Sequence, residues 1–174
     1  MGVCNVEVIK RVGKYLNVPT GTTCYNSEKV LTSVIDKENV EGFATIILRL
    51  ASKSSAKMTE QQSLLSYQWL EFLALYADQA AVNSVLAKTF LQDLNRYLLR
   101  NTYLTGQYLT VTDVAAYHVL YTLLVSLLTM AERESMVGLC RWFKHVQKQP
   151  QVSAGQTPLP LETLYLSVTA PAVH

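Results

Sequence analysis

Thr110-Val111-Thr112-Asp113 opens the longest apolar stretch of the chain, and no other feature constrains its fold as tightly. A threonine followed three positions later by a carboxylate, here Asp in the usual Glu place, is a capping box. The Thr110 hydroxyl can accept the amide of Asp113, and the Asp113 carboxylate the amide of Thr110, which satisfies donors that a helix start leaves over. Leu109 before the cap and Val114 after it stand where a hydrophobic staple packs. Residues 114–128 are almost all apolar, on every side of the helix, so the helix is expected at the centre of a bundle.

Four helices follow from the pattern, at about residues 60–80, 84–99, 111–128 and 131–149. Leu86, Phe90, Leu94, Tyr97 and Leu98 give the second one apolar side, and Leu139, Trp142, Phe143 and Val146 do so for the fourth. In the helix over 60–80, Leu65, Trp69, Phe72 and Tyr76 form the expected core face. The first 53 residues read differently. Val6, Ile9, Val12 and Leu16 recur at helical spacing, Val18-Pro19-Thr20-Gly21 is a turn, and Val30 to Ile35 is rich in β-branched residues and predicts a strand. Phe43, Ile46, Ile47 and Leu50 then mark one face of another helix. Residues 52–57 form a polar link. Beyond Pro150, Gly155, Pro158, Pro160 and Pro171 predict an irregular tail over 151–174, with one extended candidate at 164–168.

With 174 residues, 49% of them apolar, the chain can bury a substantial core. A formal charge of +2 is too small to argue for a nucleic-acid surface from bulk electrostatics. The start lacks a long apolar h-region, and the run over 114–128 falls short of the ~20 residues of a membrane span. The expectation is a soluble intracellular protein without membrane or strong nucleic-acid binding. Cys4, Cys24 and Cys140, an odd number without paired spacing, indicate neither a disulfide framework nor a zinc site.

The buried Thr-x-x-Asp box resembles the helical domain of the glutathione transferase superfamily. Gln68-Trp69-Leu70-Glu71-Phe72, Asp93-Leu94-Asn95-Arg96-Tyr97-Leu98, Tyr103-Leu104-Thr105-Gly106 and Arg141-Trp142-Phe143 are similar, in order and spacing, to the transferase-like auxiliary subunits of the multi-aminoacyl-tRNA synthetase complex. The resemblance implies a mostly α fold: a transferase-like helical domain (58–150) preceded by a truncated thioredoxin-like α/β segment (1–53). A full thioredoxin-like domain has four strands and three helices in about eighty residues, so at least one strand-helix unit must be missing here. The resemblance also implies a scaffold role in translation, a cytoplasmic location with a nuclear share, and two partners: methionyl-tRNA synthetase, and glutamyl-prolyl-tRNA synthetase or another transferase-like subunit. A module of the elongation factor 1 complex and a diverged glutathione-dependent enzyme are the alternatives.

The enzyme alternative can be checked residue by residue. Such chemistry needs a hydroxyl or thiol near the chain start, a proline before a strand, and a Glu/Gln-Ser/Thr pair at a helix start. Tyr15 and Ser27 are not in a first-strand context, Lys29 stands where the proline would, and Glu41-Gly42 replaces the pair. Cys4 lacks the context of an N-terminal nucleophile. His118, His145 and His174 complete no triad, and no phosphate loop is present, so no catalytic, metal or cofactor residues are assigned. His118 reads as a satisfied core histidine and Asp113 as a cap.

Function then falls to surfaces. Leu64, Gln68, Glu71, Leu75 and Asp78 line up at i, i+4, i+7, i+11 and i+14, two leucines in a polar stripe. Transferase-like domains dimerise through this helix and the preceding one, so the resemblance adds Arg49 and Lys53 to a first interface. Arg141, His145 and Lys148 form a second stripe. In the resembled family the arginine of an R-W-F segment takes part in a head-to-tail domain contact, and Arg141 matches it.

Overall fold

The computed structural model describes residues 2–161. Asn5 caps α1 (Val6–Leu16), its side-chain oxygen accepting the amides of Glu7 and Val8 at 3.0 and 3.2 Å, and Asn17 ends it in the left-handed region. Val8, Ile9 and Val12 form its buried side. A three-stranded antiparallel meander follows, β1 (Thr22–Tyr25), β2 (Leu31–Ile35) and β3 (Glu38–Glu41), in the order β1-β2-β3. Asp36 and Lys37 both have positive φ, the geometry that a tight two-residue hairpin demands. Gly21 leads into β1 with φ 65° where any β-carbon would collide with the Val34 carbonyl, so only glycine fits. The α2 helix (Phe43–Lys53) closes the segment and buries Phe43, Ile46, Ile47 and Leu50.

One extended element was expected and three are present. β1 and β3 carry no apolar alternation because both are edge strands with mostly exposed side chains. The described residues of this segment form three strands and two helices.

The helical part comprises α3 (Glu60–Val82), α4 (Ser84–Leu98), α5 (Val111–Leu127), α6 (Met130–Ser135) and α7 (Val137–Gln147). Residues 111–120 of α5 are all buried, and α5 packs against α1, α2, α3, α4 and α7. The fourth predicted helix is in fact two. Thr129 caps α6 through a capping box with Glu132, and the chain breaks at Met136 before α7. The predicted core face of α3 also needs correction. Its fully buried line is Ser66, Leu70, Leu73, Ala77 and Ala80, whereas Trp69 and Phe72 are half-buried and Tyr76 is exposed. Small residues let α3 lie close to α5 and α2, which rotates the aromatics toward α4: Trp69 meets Tyr97 at 4.6 Å and Phe72 stacks on Phe90 at 5.4 Å.

The hydrophobic core runs unbroken across the short link after α2, through the α1–α5 and α2–α3 contacts. The segment after α7 is irregular yet held down. Val152 and Leu161 are buried, Tyr121 donates to the Thr157 carbonyl at 2.8 Å, and Gln147 exchanges two hydrogen bonds with the Leu159 backbone. The extended candidate over 164–168 lies outside the described residues.

Candidate functional site

Among the described residues, Asp113 is the best-connected buried polar group. Its Oδ2 accepts the Thr110 N–H at 3.0 Å and the Thr110 hydroxyl at 3.2 Å. Oδ1 accepts the Leu104 N–H and the Trp142 Nε1–H, both at 2.9 Å. The capping box is thus part of a larger node joining the loop before α5 to α7. Burial pushes the carboxyl above its usual range, and the bonds from Leu104, Trp142 and Thr110 pull it back. All of its lone-pair directions point at structural donors, which is the geometry of a cap.

The region where glutathione chemistry would sit offers other residues than that chemistry uses. Lys29 has φ 61°, which a proline ring cannot adopt, and Gly42 caps α2 without a side chain. Ser27 is exposed in the β1–β2 turn, and Tyr15 is half-buried at the end of α1, beside Lys57, Gln62 and Tyr108. Cys4 is buried and its thiol is pushed up by burial first and by Asp78 second, so it stays a thiol rather than a nucleophilic thiolate. His118 is buried with Nδ1 2.9 Å from Gln156 Oε1, and burial lowers its pKa to about 4. Among the described residues, no group of three or more His, Cys, Asp or Glu could hold a metal ion, and no helix is long and apolar enough to cross a membrane.

The stripe on α3 faces outward. Leu64 and Leu75 are 61% and 58% exposed, with Gln68 and Glu71 exposed between them and Tyr67 alongside at 46%. Asp78, the last member of the stripe, is instead turned inward: it accepts the Val3 amide at 2.6 Å and the Cys4 amide at 3.2 Å. Arg49 and Lys53 on α2 pair with Glu38 and Asp36 of the β2–β3 hairpin. Beside the stripe, Leu65, Trp69 and Phe72 line a cleft of 450 Å³ against Leu94 and Tyr97 of α4.

The second stripe lies over a different cleft, of 380 Å³, lined by Thr102, Arg141, Lys144, His145 and Lys148 around the edge of Trp142. None of these cations is in an ion pair among the described residues. Arg141 has a structural job. One guanidinium nitrogen donates to the Leu98 and Asn101 carbonyls and so caps the C-terminus of α4. Asn95 of α4 returns the favour, accepting the Leu139 N–H at 3.0 Å in the first turn of α7. The two helices can do this because Gly138 sits where a β-carbon would lie 2.7 Å from the Asn95 carbonyl oxygen. His145 is not simply solvated either, its Nε2 lying 2.8 Å from the Tyr103 hydroxyl. The contacts of Asn95, Gly138 and Tyr103 are not legible in the sequence; a glycine inside an apolar helical pattern is the one signal that flags a close approach.

Residues 62–150, more than half of the chain, match the Arc1p_N_like family, described as nuclear-export cofactor Arc1p. The chain belongs to this family. Relatives of this Arc1p-like chain include the eukaryotic translation elongation factor 1 epsilon-1 of Cricetulus griseus, 32% identical over 118 residues that cover 66% of this chain and 67% of that protein. The human protein of the same name is 31% identical over 119 residues with the same coverage. The fold is similar to the crystal structure of a possible glutathione S-transferase from Rhodopseudomonas palustris, with a TM-score of 0.72, 15% identity, and coverage of 99% of this chain and 94% of that one. At that identity the likeness speaks for the fold: the Arc1p-like chain is a mostly α, transferase-like protein. The matched stretch runs from the first turn of α3 past α7, and so contains Leu64, Gln68, Glu71, Leu75, Asp113, Arg141, His145 and Lys148 but not Arg49 or Lys53.

Proposed function

We propose that this chain is a non-catalytic scaffold subunit of the multi-aminoacyl-tRNA synthetase complex, working in the cytoplasm with a nuclear share. In this reading the α3 stripe, with Arg49 and Lys53 of α2, docks the transferase-like domain of methionyl-tRNA synthetase. The basic cleft of Arg141, His145 and Lys148 docks that of glutamyl-prolyl-tRNA synthetase or another transferase-like subunit. The observation that carries it is the pair of leucines standing more than half exposed, three turns apart, on a helix whose opposite side carries the buried line Ser66, Leu70, Leu73, Ala77 and Ala80. Burying a leucine side chain contributes ~1.5–3 kcal/mol, and the polar residues between keep the face soluble when free. Arg141 suits the second face because its guanidinium plane is already fixed by two carbonyls, which leaves its other nitrogens to pair with a carboxylate.

A second reading, a module of the elongation factor 1 complex whose same faces serve that assembly, takes its support from the relatives' printed name, eukaryotic translation elongation factor 1 epsilon-1. Gel filtration of the purified chain with each isolated transferase-like domain tests the first. A shared peak with the methionyl-tRNA synthetase domain is expected, and calorimetric titration with glutathione should give no binding tighter than ~1 mM, within the upper range of enzyme KM values. Saturable glutathione binding below that, or conjugation of a chlorinated nitrobenzene above buffer, would overturn the non-catalytic reading.

A further inference from the structure

We propose that the outer edge of β1 is a docking strand, which takes an extended segment of a partner protein as a fourth strand of the sheet. The ladder shows which groups are free to do this. Asn26 donates to the Val30 carbonyl at 2.9 Å, and Gly42 to the Leu31 carbonyl at 2.8 Å. In an antiparallel pair the bonded residues alternate, so Thr22 and Cys24 turn their N–H and C=O toward Val34 and Thr32 of β2. Thr23 and Tyr25 therefore turn theirs away from the sheet, and among the described residues no hydrogen bond reaches those groups.

The two edges of the sheet are treated differently. β3 is guarded by Glu38 and Glu41, both exposed, with Glu38 tied to Arg49. β1 reads Thr-Thr-Cys-Tyr, with neither charge nor proline, and three of its four residues are exposed. Charge and proline are two of the devices that keep an edge from pairing, and β1 carries neither, its shortness being shared with β3. Tyr25, 40% exposed at the end of β1, supplies apolar surface for an incoming strand. The fitting segment is uncharged where it meets β1, with β-branched or aromatic residues opposite Tyr25.

A second copy of this chain is the lesser candidate. Four residues span only ~13 Å, and edge-to-edge pairing over that length falls far short of the ~1,200 Å² that a stable interface buries. A segment belonging to a protein already held on another face needs no such area, because its contact is intramolecular. That last step rests on the docking proposed above; the edge itself does not.

The test uses the full chain and a synthetic peptide alternating threonine with valine and tyrosine, flanked by lysines for solubility. Amide hydrogen exchange at Thr23 and Tyr25 should slow by roughly tenfold or more at millimolar peptide, while Thr22 and Cys24 are unchanged. The same peptide N-methylated at alternate residues should give no protection. Thr23→Pro, which removes an N–H that the ladder does not use, should keep the fold and lose the peptide. Unchanged exchange with the plain peptide, equal protection by the N-methylated one, or a folded Thr23→Pro that binds like the parent would each overturn the proposal. So would protection that grows with protein concentration alone and sediments as a dimer, since the occupant would then be a second copy. The peptide reads the edge directly, so its failure leaves the helix-face docking untouched.

Discussion

Asp113 holds three backbone or ring N–H donors at once, and a buried donor without a partner costs ~1–3 kcal/mol. Asp113→Ala should therefore lower stability by about 3–5 kcal/mol in urea melts, more than the ~0.5–2 kcal/mol of an ordinary cap. Asp113→Asn, which keeps an acceptor, should lose less. An unchanged melting curve with lost partner binding would mark the residue as functional instead. His118 makes the complementary statement about pH. Its pKa of about 4 lies below the ordinary 6.5, so as pH falls through 6.5 the unfolded chain takes up a proton that the folded chain refuses. Stability is lost progressively down to pH 4, by about 3 kcal/mol at most. Asp113, raised rather than lowered, acts in the opposite sense and is common to both proteins, so the comparison with His118→Gln isolates the histidine. The variant should show a flatter profile between pH 6.5 and 4; equal slopes would refute the assignment.

At the scale of elements, the crossing of α4 and α7 carries the most information. Asn95 caps the start of α7, Arg141 caps the end of α4, and Gly138 permits the approach. Gly138→Ala should destabilise the fold by ~1–3 kcal/mol through overpacking against a backbone that cannot yield, despite alanine's better helix propensity. Arg141→Ala should weaken the fold as well as any interface, by ~1 kcal/mol as measured by thermal melting, so it is a poor probe of docking taken alone. This crossing also shows why the sequence was legible in part. The heptad-like spacing of Leu139, Trp142, Phe143 and Val146 announces a buried side, and all four are buried. The cap exchanged with α4 involves residues 44 positions apart, which no local pattern encodes. The α3 face was misread for the reverse reason: aromatic residues weigh heavily in a pattern, but Ala77 and Ala80 decide how closely the helix can sit. β1 and β3 were invisible because an exposed edge strand needs no apolar alternation.

For the whole molecule, the core is continuous from α1 through α5 to α7, and the α3 stripe and the basic cleft are separate surfaces on it. In the proposed docking, the two separate faces bridge two partners without either contact altering the other. Leu75→Arg places a charge in the first face, and the double variant Lys144→Glu with Lys148→Glu reverses the second without touching the Arg141 cap. Reversing two charges at a contact should weaken it by several kcal/mol, a loss of at least ~100-fold. The decisive measurement is calorimetric binding of both variants to the isolated transferase-like domains of methionyl- and glutamyl-prolyl-tRNA synthetase, with melting temperatures recorded alongside. Each variant should lose one partner and bind the other as the parent does; loss of both partners by either folded variant, or retention of both by each, would contradict the account.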